Sequence, residues 1–166
     1  ADQKTIQSQG FKDVRVLTQA TFEGIKLTKT GGQHGTDEMY RNAELKAGLG
    51  EAMGIVFEAA GHETVYVAGD TIWRPEVDHA IQTFKPDVIV LNTGNALMDR
   101  YKESIIMGKE DTYHATQKAP NAKIVAVHMD AINHMSVTRA QLAKYVKDKG
   151  IQDKVLIPID GETLSF

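Results

Sequence analysis

Imidazole and carboxylate side chains follow several apolar stretches of this sequence, and these are residue types that can hold a divalent metal. His34 lies in Gly-Gly-Gln-His-Gly-Thr-Asp-Glu, Asp70 in Val-Ala-Gly-Asp-Thr, and His128 in Val-Ala-Val-His-Met-Asp. Neutral imidazole nitrogen and carboxylate oxygen are ligands of zinc, iron and manganese. The three residues are 36 and 58 positions apart, which forms no local motif, so their spacing alone does not establish a metal site.

Each of the three residues also has a structural interpretation. His34 can be a loop residue beside a turn, and Asp70 can be a helix N-cap in front of Thr71. His128 can be a histidine with satisfied hydrogen bonds at the edge of the core. The residue types leave both interpretations open.

The apolar patterns around these residues predict strands mixed with helices. Alternating or continuous apolar residues predict strands over 14–17, 22–29, 53–57, 64–68, 88–91, 124–127 and 155–158. Helical spacing and capping residues predict helices over 2–9, 76–84 and 109–118, and a last one that is capped by Ser136 or Thr138 and ends at Lys149. Residues 31–38 are expected to form a loop. Hairpins therefore come first and strand–helix units follow, which predicts a layered α/β fold in one domain, residues 1–166.

Composition excludes several classes of protein. The chain has 166 residues, of which 42% are hydrophobic and 25% charged, so it can bury a sizeable core and is neither disordered nor fibrous. The net charge of −3 is spread along the chain, so we expect no nucleic-acid or membrane partner. The absence of cysteine excludes disulfides, thiol nucleophiles and Cys-ligated zinc. No apolar run could cross a bilayer and no signal peptide is evident, so we expect a cytoplasmic protein.

Four segments in order resemble the second half of a metallo-β-lactamase-superfamily protein, in the branch of lactonase-like hydrolases. They are Thr-Gly-Gly-Gln-His-Gly-Thr-Asp-Glu, Val-Ala-Gly-Asp-Thr-Ile-Trp, Val-Ile-Val-Leu-Asn and Val-His-Met-Asp-Ala-Ile-Asn-His. The resemblance covers nearly all of this chain but only about the latter two thirds of such a protein. It implies part of an αββα sandwich, a mixed sheet with helices on its outer face.

The resemblance also implies roles for individual residues. His34 matches a histidine ligand, Asp70 the carboxylate that bridges two metals and acts in catalysis, and His128 the final histidine ligand. His134, six residues later, competes with His128 for that last role. In such a site the metals convert water into a nucleophile near neutral pH.

The sequence departs from the family in one respect, because the His-x-His-x-Asp-His segment that supplies the other ligands is absent. The six histidines are His34, His62, His79, His114, His128 and His134, and no two of them are separated by a single residue. With Asp70 as the bridge, each metal would keep two protein ligands, fewer than the three of a catalytic zinc site. We therefore expect zinc, manganese or iron to bind weakly or not at all, and Ala1, which is not methionine, is compatible with a truncation or processing boundary.

Five further residues are candidates for orienting a ligand or contacting substrate. Asp37 and Glu38 could orient a metal-bound imidazole or form a solvated acidic turn. Thr71, Trp73 and Asn92 could lie at the substrate, while packing and turn chemistry also account for them.

Two functions follow from the resemblance. The first is a truncated superfamily member without independent hydrolase activity, and the alternative is a metal-dependent hydrolase of lactones, esters or phosphoesters whose remaining ligands come from another segment or chain. Loss of one sheet of the sandwich would expose the apolar face of the other. We therefore expect two copies to associate through that face as a homodimer, or a separate partner chain to cover it and stabilise the protein.

Overall fold

The computed structural model describes residues 2–130 and 132–166. The helices in these residues are α1 (Gln3–Ser8), α2 (Asp37–Tyr40), α3 (Ala43–Leu49), α4 (Pro75–Phe84), α5 (Lys109–Lys118) and α6 (Arg139–Asp148). The strands are β1 (Gln19–Phe22), β2 (Ile25–Gly31), β3 (Met53–Glu58), β4 (Val65–Val67), β5 (Val88–Asn92), β6 (Leu97–Met98), β7 (Glu103–Ser104), β8 (Lys123–Val127) and β9 (Val155–Leu156). Within this part of the chain, no helix has both the length and the apolar character needed to cross a membrane.

The N-terminal third differs from the predicted elements. Residues 14–17 form no strand, and Val16 is 68% exposed, because no neighbouring strand pairs with them. The strand predicted over 22–29 is interrupted by Glu23 and Gly24, whose φ angles of 49° and 84° form the tight turn between β1 and β2. The short helices α2 and α3 were not predicted, because four and seven residues give too little periodicity to detect.

The strands form a mixed sheet of seven in the order β1-β2-β3-β4-β5-β8-β9. Neighbours from β1 to β4 are antiparallel, and neighbours from β4 to β9 are parallel. Since two antiparallel steps separate β2 from β4, these two strands run in the same direction. The C-terminal ends of β2, β4, β5 and β8 therefore lie along one edge of the sheet, which we call the carboxyl rim.

One face of the sheet packs against helices and forms the main core. Val56, Tyr66, Ile89 and Ile124 are register partners across four strands, and each is 0% exposed. The same cluster includes Val77, Ala80 and Ile81 of α4, Ala115 of α5, and Leu142 and Val146 of α6. The layered α/β fold with helices on one face of a mixed sheet is confirmed.

The opposite face of the sheet is also apolar. Ile55, Val67 and Val90 are register partners on this face, which also carries Leu27 and Phe57. All five side chains are half-buried, and none belongs to the main core. We call this surface the second face.

A smaller apolar cluster lies beyond the carboxyl rim. Its buried members are Met39 of α2 and Ala96, Ile105 and Ile106 of the segment around the β6–β7 hairpin, and Met135 packs against them. We call this cluster the second core. It joins the segments that follow β2, β5 and β8.

Shortening a fully buried side chain of α6 tests the packing of the main core. Leu142 is 0% exposed, so Leu142→Ala should lower the free energy of unfolding by roughly 2–5 kcal/mol through lost apolar contact and a residual cavity. Lys144→Ala on the same helix is the control, because Lys144 is exposed and its ion pair with Asp148 should contribute about 0.5 kcal/mol or less. Equal effects of the two substitutions in urea denaturation would contradict this packing.

Candidate functional site

The carboxyl rim brings together three of the residues that the sequence predicts as ligands. His34 follows the end of β2, Asp70 follows β4, and His128 is the first residue after β8. Asp70 is preceded by Gly69, whose φ of 73° turns the chain sharply after the strand. A Cβ at Gly69 would lie 2.5 Å from the carbonyl oxygen of Met53, so the turn passes too close to β3 for any other residue.

Asp70 and His128 face each other across the rim. The Nε2 atom of His128 lies 3.7 Å from Oδ1 of Asp70, and the two side chains are 28% and 41% exposed. Asn92, the last residue of β5, lies between their strands and donates a hydrogen bond of 2.7 Å from Nδ2 to the same Oδ1. Asn92 therefore fixes the orientation of the Asp70 carboxylate.

His34 is close enough to this pair to interact with it electrostatically. Burial lowers the pKa of His34, and the negative charge of Asp70 and a hydrogen bond with the Leu49 backbone oppose that shift. The neighbouring imidazoles of His128 and His134 lower the pKa of His34 further. The lowered pKa favours the neutral form of His34, which is the form that binds a metal.

These donors match a divalent metal in type but not in number. Within residues 2–130 and 132–166, no three His, Asp or Glu side chains converge on one position where a metal could bind. Asp70 and His128 supply a carboxylate oxygen and an imidazole nitrogen, whereas a catalytic zinc site has three protein ligands. The chain by itself therefore presents part of a donor set.

His128 and His134 have different positions in the structure. The ring of His128 lies beside Asp70, whereas His134 is exposed and accepts a backbone hydrogen bond of 3.2 Å from Leu97 through its carbonyl oxygen. Its neighbour Met135 pairs with Ala96 in an isolated β-bridge. The geometry thus favours His128 over His134 as the partner of Asp70.

Thr71 joins the loops that carry His34 and Asp70. It is 0% exposed, and its Oγ1 accepts a hydrogen bond of 2.9 Å from the amide of Gln33 and donates one of 2.8 Å to the carbonyl of Ile72. The amide of Ile72 in turn donates to the carbonyl of Gln33 at 2.9 Å. Thr71 therefore holds the backbone of the loop at Gln33 against the loop that follows Asp70. Asp70 caps no helix, since α4 begins at Pro75.

The other candidates lie around this centre. Asp37 accepts hydrogen bonds from Gln33 (2.9 Å) and Arg74 (2.7 Å), and both lower its pKa. Its partners in the described residues are these two side chains and not a histidine. Glu38 is an exposed residue in the first turn of α2.

Trp73 lies on the helix-covered side of the sheet. Its ring meets the ring of His114 edge-on, with 4.5 Å between their centroids. Its indole nitrogen donates to Asp78 of α4 at 3.3 Å. The structure therefore places Trp73 between α4 and α5, and not beside Asp70.

Gly94 is a feature of the site that the sequence analysis missed. An added Cβ there would overlap the carbonyl oxygen of His128 and the sulfur of Met135. The dipeptide Gly94-Asn95 after a strand signals a turn, but only the fold shows which backbone it approaches. The sequence analysis also missed Arg139 and Asp130.

The comparisons with known proteins agree with this fold. No family model matches the chain. The UPF0173 protein YddR of Bacillus subtilis is 44% identical over 168 residues, which cover 100% of this chain and 63% of YddR. The YhfI protein of Bacillus subtilis, a metallo-β-lactamase fold protein, matches 98% of this chain and 59% of its own, with a TM-score of 0.67 at 14% identity, and so supports the fold alone.

Two solved structures are more similar to this chain than YhfI is. A possible metal-dependent hydrolase from Veillonella parvula is 46% identical with a TM-score of 0.97, and covers 99% of this chain and 63% of its own. An isothiocyanate hydrolase from Delia radicum gut bacteria is 47% identical with a TM-score of 0.94, and the match covers 98% of this chain and 63% of the hydrolase chain. The chain therefore has the fold of part of a metallo-β-lactamase fold protein. It spans 63% of the length of these relatives.

Substitution of Gly94 tests the close approach of the two rim loops. Gly94→Ala should displace His128 and lower the free energy of unfolding by about 1–3 kcal/mol, because the added methyl group overpacks the contact. Gly48→Ala in α3 is the control, because nothing lies within 4 Å of its Cβ position and alanine should stabilise that helix by up to about 1 kcal/mol. Thermal unfolding measures the changes in stability, and the NMR signals of the His128 ring report its displacement. An unperturbed His128 in Gly94→Ala would contradict the close approach of Gly94 to His128.

Proposed function

We propose that this chain supplies Asp70, His128 and His34 to the centre of a metal-dependent hydrolase, and that the remaining ligands come from a segment outside these 166 residues. The observation that carries the proposal is the Asp70–His128 pair at 3.7 Å on the carboxyl rim. Relatives that are 46% and 47% identical and are described as hydrolases support it. They favour this alternative over a protein whose site has no catalytic use.

The chain's own residues would prepare this centre in three ways. Asn92 holds Oδ1 of Asp70 and leaves Oδ2 without a hydrogen-bond partner in the described residues, so that oxygen is available to a second ligand. Burial lowers the pKa of His34 and so favours its neutral form. Thr71 and Gln33 keep the two loops in register. A divalent metal bound there would supply activation of water near neutral pH.

An isothiocyanate is the substrate class that we propose first, because one relative at 47% identity is described as an isothiocyanate hydrolase. The carbon between nitrogen and sulfur in R–N=C=S is an electrophile, and addition of water gives a thiocarbamic acid. That acid breaks down to the amine and carbonyl sulfide, which balances all atoms. Lactones, esters and phosphoesters are the comparison substrates, because the sequence resemblance implied them.

Replacement of Asp70 tests the proposed metal site. Zinc should bind weakly to the native chain, and Asp70→Asn should weaken it at least about tenfold, because the carboxylate is lost from the donor set. Asp153→Asn is the control, since Asp153 is an exposed carboxylate that follows α6 and lies outside the rim. Competition with a chromogenic chelator measures the affinity. Equal zinc affinity in the native chain and Asp70→Asn would contradict the proposal.

Activity should depend on the missing ligands. Joining to this chain the part of YddR that its match leaves uncovered should yield zinc-dependent loss of isothiocyanate absorbance, and Asp70→Asn in that chimera should abolish it. The unfused chain should be inactive. Full activity of the unfused chain would show that the further ligands are not required, and faster turnover of a lactone or phosphodiester would replace the substrate assignment.

We further propose that a second copy of this chain covers the second face. Ile55, Val67 and Val90 are apolar and half-buried there, and an apolar sheet face of this kind favours association. Light scattering at micromolar concentration should give the mass of a dimer, and Val67→Lys should give a monomer. A native chain that is monomeric and monodisperse would contradict this.

A further inference from the structure

The backbone on both sides of Met129 adopts the left-handed conformation. His128 has φ = 63° and Asp130 has φ = 62°, and neither is a glycine. Side chains with a Cβ disfavour this conformation, which persists where surrounding contacts enforce it. The direction of the His128 ring toward Asp70 therefore depends on what holds this short segment.

Contacts on two sides hold the segment. On the strand side, the carbonyl of Val127 accepts a hydrogen bond of 2.9 Å from the amide of Thr93. On the other side, Oδ2 of Asp130 accepts hydrogen bonds from Arg139 at the start of α6, at 3.0 Å from the backbone amide and at 3.4 Å from the guanidinium.

The guanidinium of Arg139 has two more partners. Its Nε donates to the carbonyl of Pro158 at 3.1 Å, and its remaining nitrogen pairs with Asp160. The side chain is 27% exposed, so most of it is packed between the loop and the C-terminal segment. One side chain therefore connects the loop after β8, the first turn of α6 and residues 158–160.

We propose that Arg139 is a positioning residue that holds the 128–130 segment in its left-handed conformation and so keeps the ring of His128 directed at Asp70. The inference rests on the proposed function, because the segment matters for a metal only if His128 binds one. Arg139 acts through Asp130 and contacts neither Asp70 nor the His128 ring in the described residues.

The planar guanidinium is suited to this role in a way that lysine is not. Its nitrogens point in fixed, separate directions and reach Asp130, Pro158 and Asp160 together. A lysine ammonium is a single point charge on a flexible stem, so it would satisfy one of these acceptors well at a time. Arg139→Lys should therefore keep part of the positioning of residues 128–130. Arg139→Gln should lose the charged contacts with Asp130 and Asp160.

The experiment compares native chain, Arg139→Gln and Arg139→Lys. In zinc-free protein, amide hydrogen exchange measured by NMR should be faster at 128–130 in Arg139→Gln and unchanged at 88–92 in β5. Zinc affinity, measured by chelator competition, should fall about tenfold in Arg139→Gln and by less in Arg139→Lys, as for other residues that orient a ligand. Arg15→Gln is the control, because the Arg15–Asp13 pair is 77% and 72% exposed and distant in sequence from the rim.

The outcomes separate this inference from the proposed function. Unchanged exchange at 128–130 in Arg139→Gln would overturn the positioning role, and so would equal acceleration at 88–92, which indicates general destabilisation. A YddR chimera without zinc-dependent hydrolysis would contradict the proposed function, and local acceleration at 128–130 would still support the role of Arg139.

Discussion

The shared direction of β2, β4, β5 and β8 is the constraint on which the rest of the site depends. Because these strands run the same way, the segments that follow them leave from one edge of the sheet. Residues separated by 94 positions, such as His34 and His128, thereby come within electrostatic range of Asp70. The main core maintains this order, since register partners such as Tyr66 and Ile89 are fully buried against the helices.

Strand direction alone brings the loops together only approximately, and specific contacts set their final positions. The Gln33–Thr71 hydrogen bond joins the first two loops, and the close approach of Gly94 to His128 joins the next two. The second core adds apolar contacts among Met39, Ile105 and Met135, which lie in the segments that follow β2, β5 and β8. Full burial of side chains such as Met39 and Ile105 contributes about 1.5–3 kcal/mol each, so the rim is stabilised independently of any ligand.

The sequence predicted the parts of this molecule that local patterns encode. The hairpin of β3 and β4, the helices α4, α5 and α6, and the buried strands β5 and β8 were predicted from the sequence. Apolar patterns, Pro75 as the first residue of α4 and Thr138, one of the two candidate caps of α6, account for them. The β1–β2 turn was missed because Glu23 and Gly24 interrupt a pattern that continues across them. The rim could be anticipated only as a set of strand ends, because strand order is a non-local property.

The site residues show the same division between local and non-local information. Residue type and position after a strand predicted His34, Asp70, Asn92 and His128 as candidates, and the structure places all four at the carboxyl rim. The partners of Asp37 and Trp73, by contrast, depend on which helices pack together, and sequence patterns do not contain that information. Gly94 was missed because the His128 backbone that it approaches lies several elements later in the chain, and Arg139 because two of its partners, Pro158 and Asp160, lie beyond β9.

The free energy of the Asp70–His128 contact does not by itself account for the conformation of the rim. An ion pair as exposed as Asp70 and His128 contributes about 0–1 kcal/mol, and then only when the histidine is protonated. A non-glycine residue in the left-handed conformation costs about 1–3 kcal/mol, and both His128 and Asp130 adopt it. The two left-handed residues therefore destabilise the segment by more than the Asp70–His128 ion pair stabilises it. Surrounding contacts must maintain it, and such local conflicts concentrate at functional sites. A ligand that binds the carboxylate and the imidazole together would reverse this balance, because its binding energy would be gained only in the strained conformation.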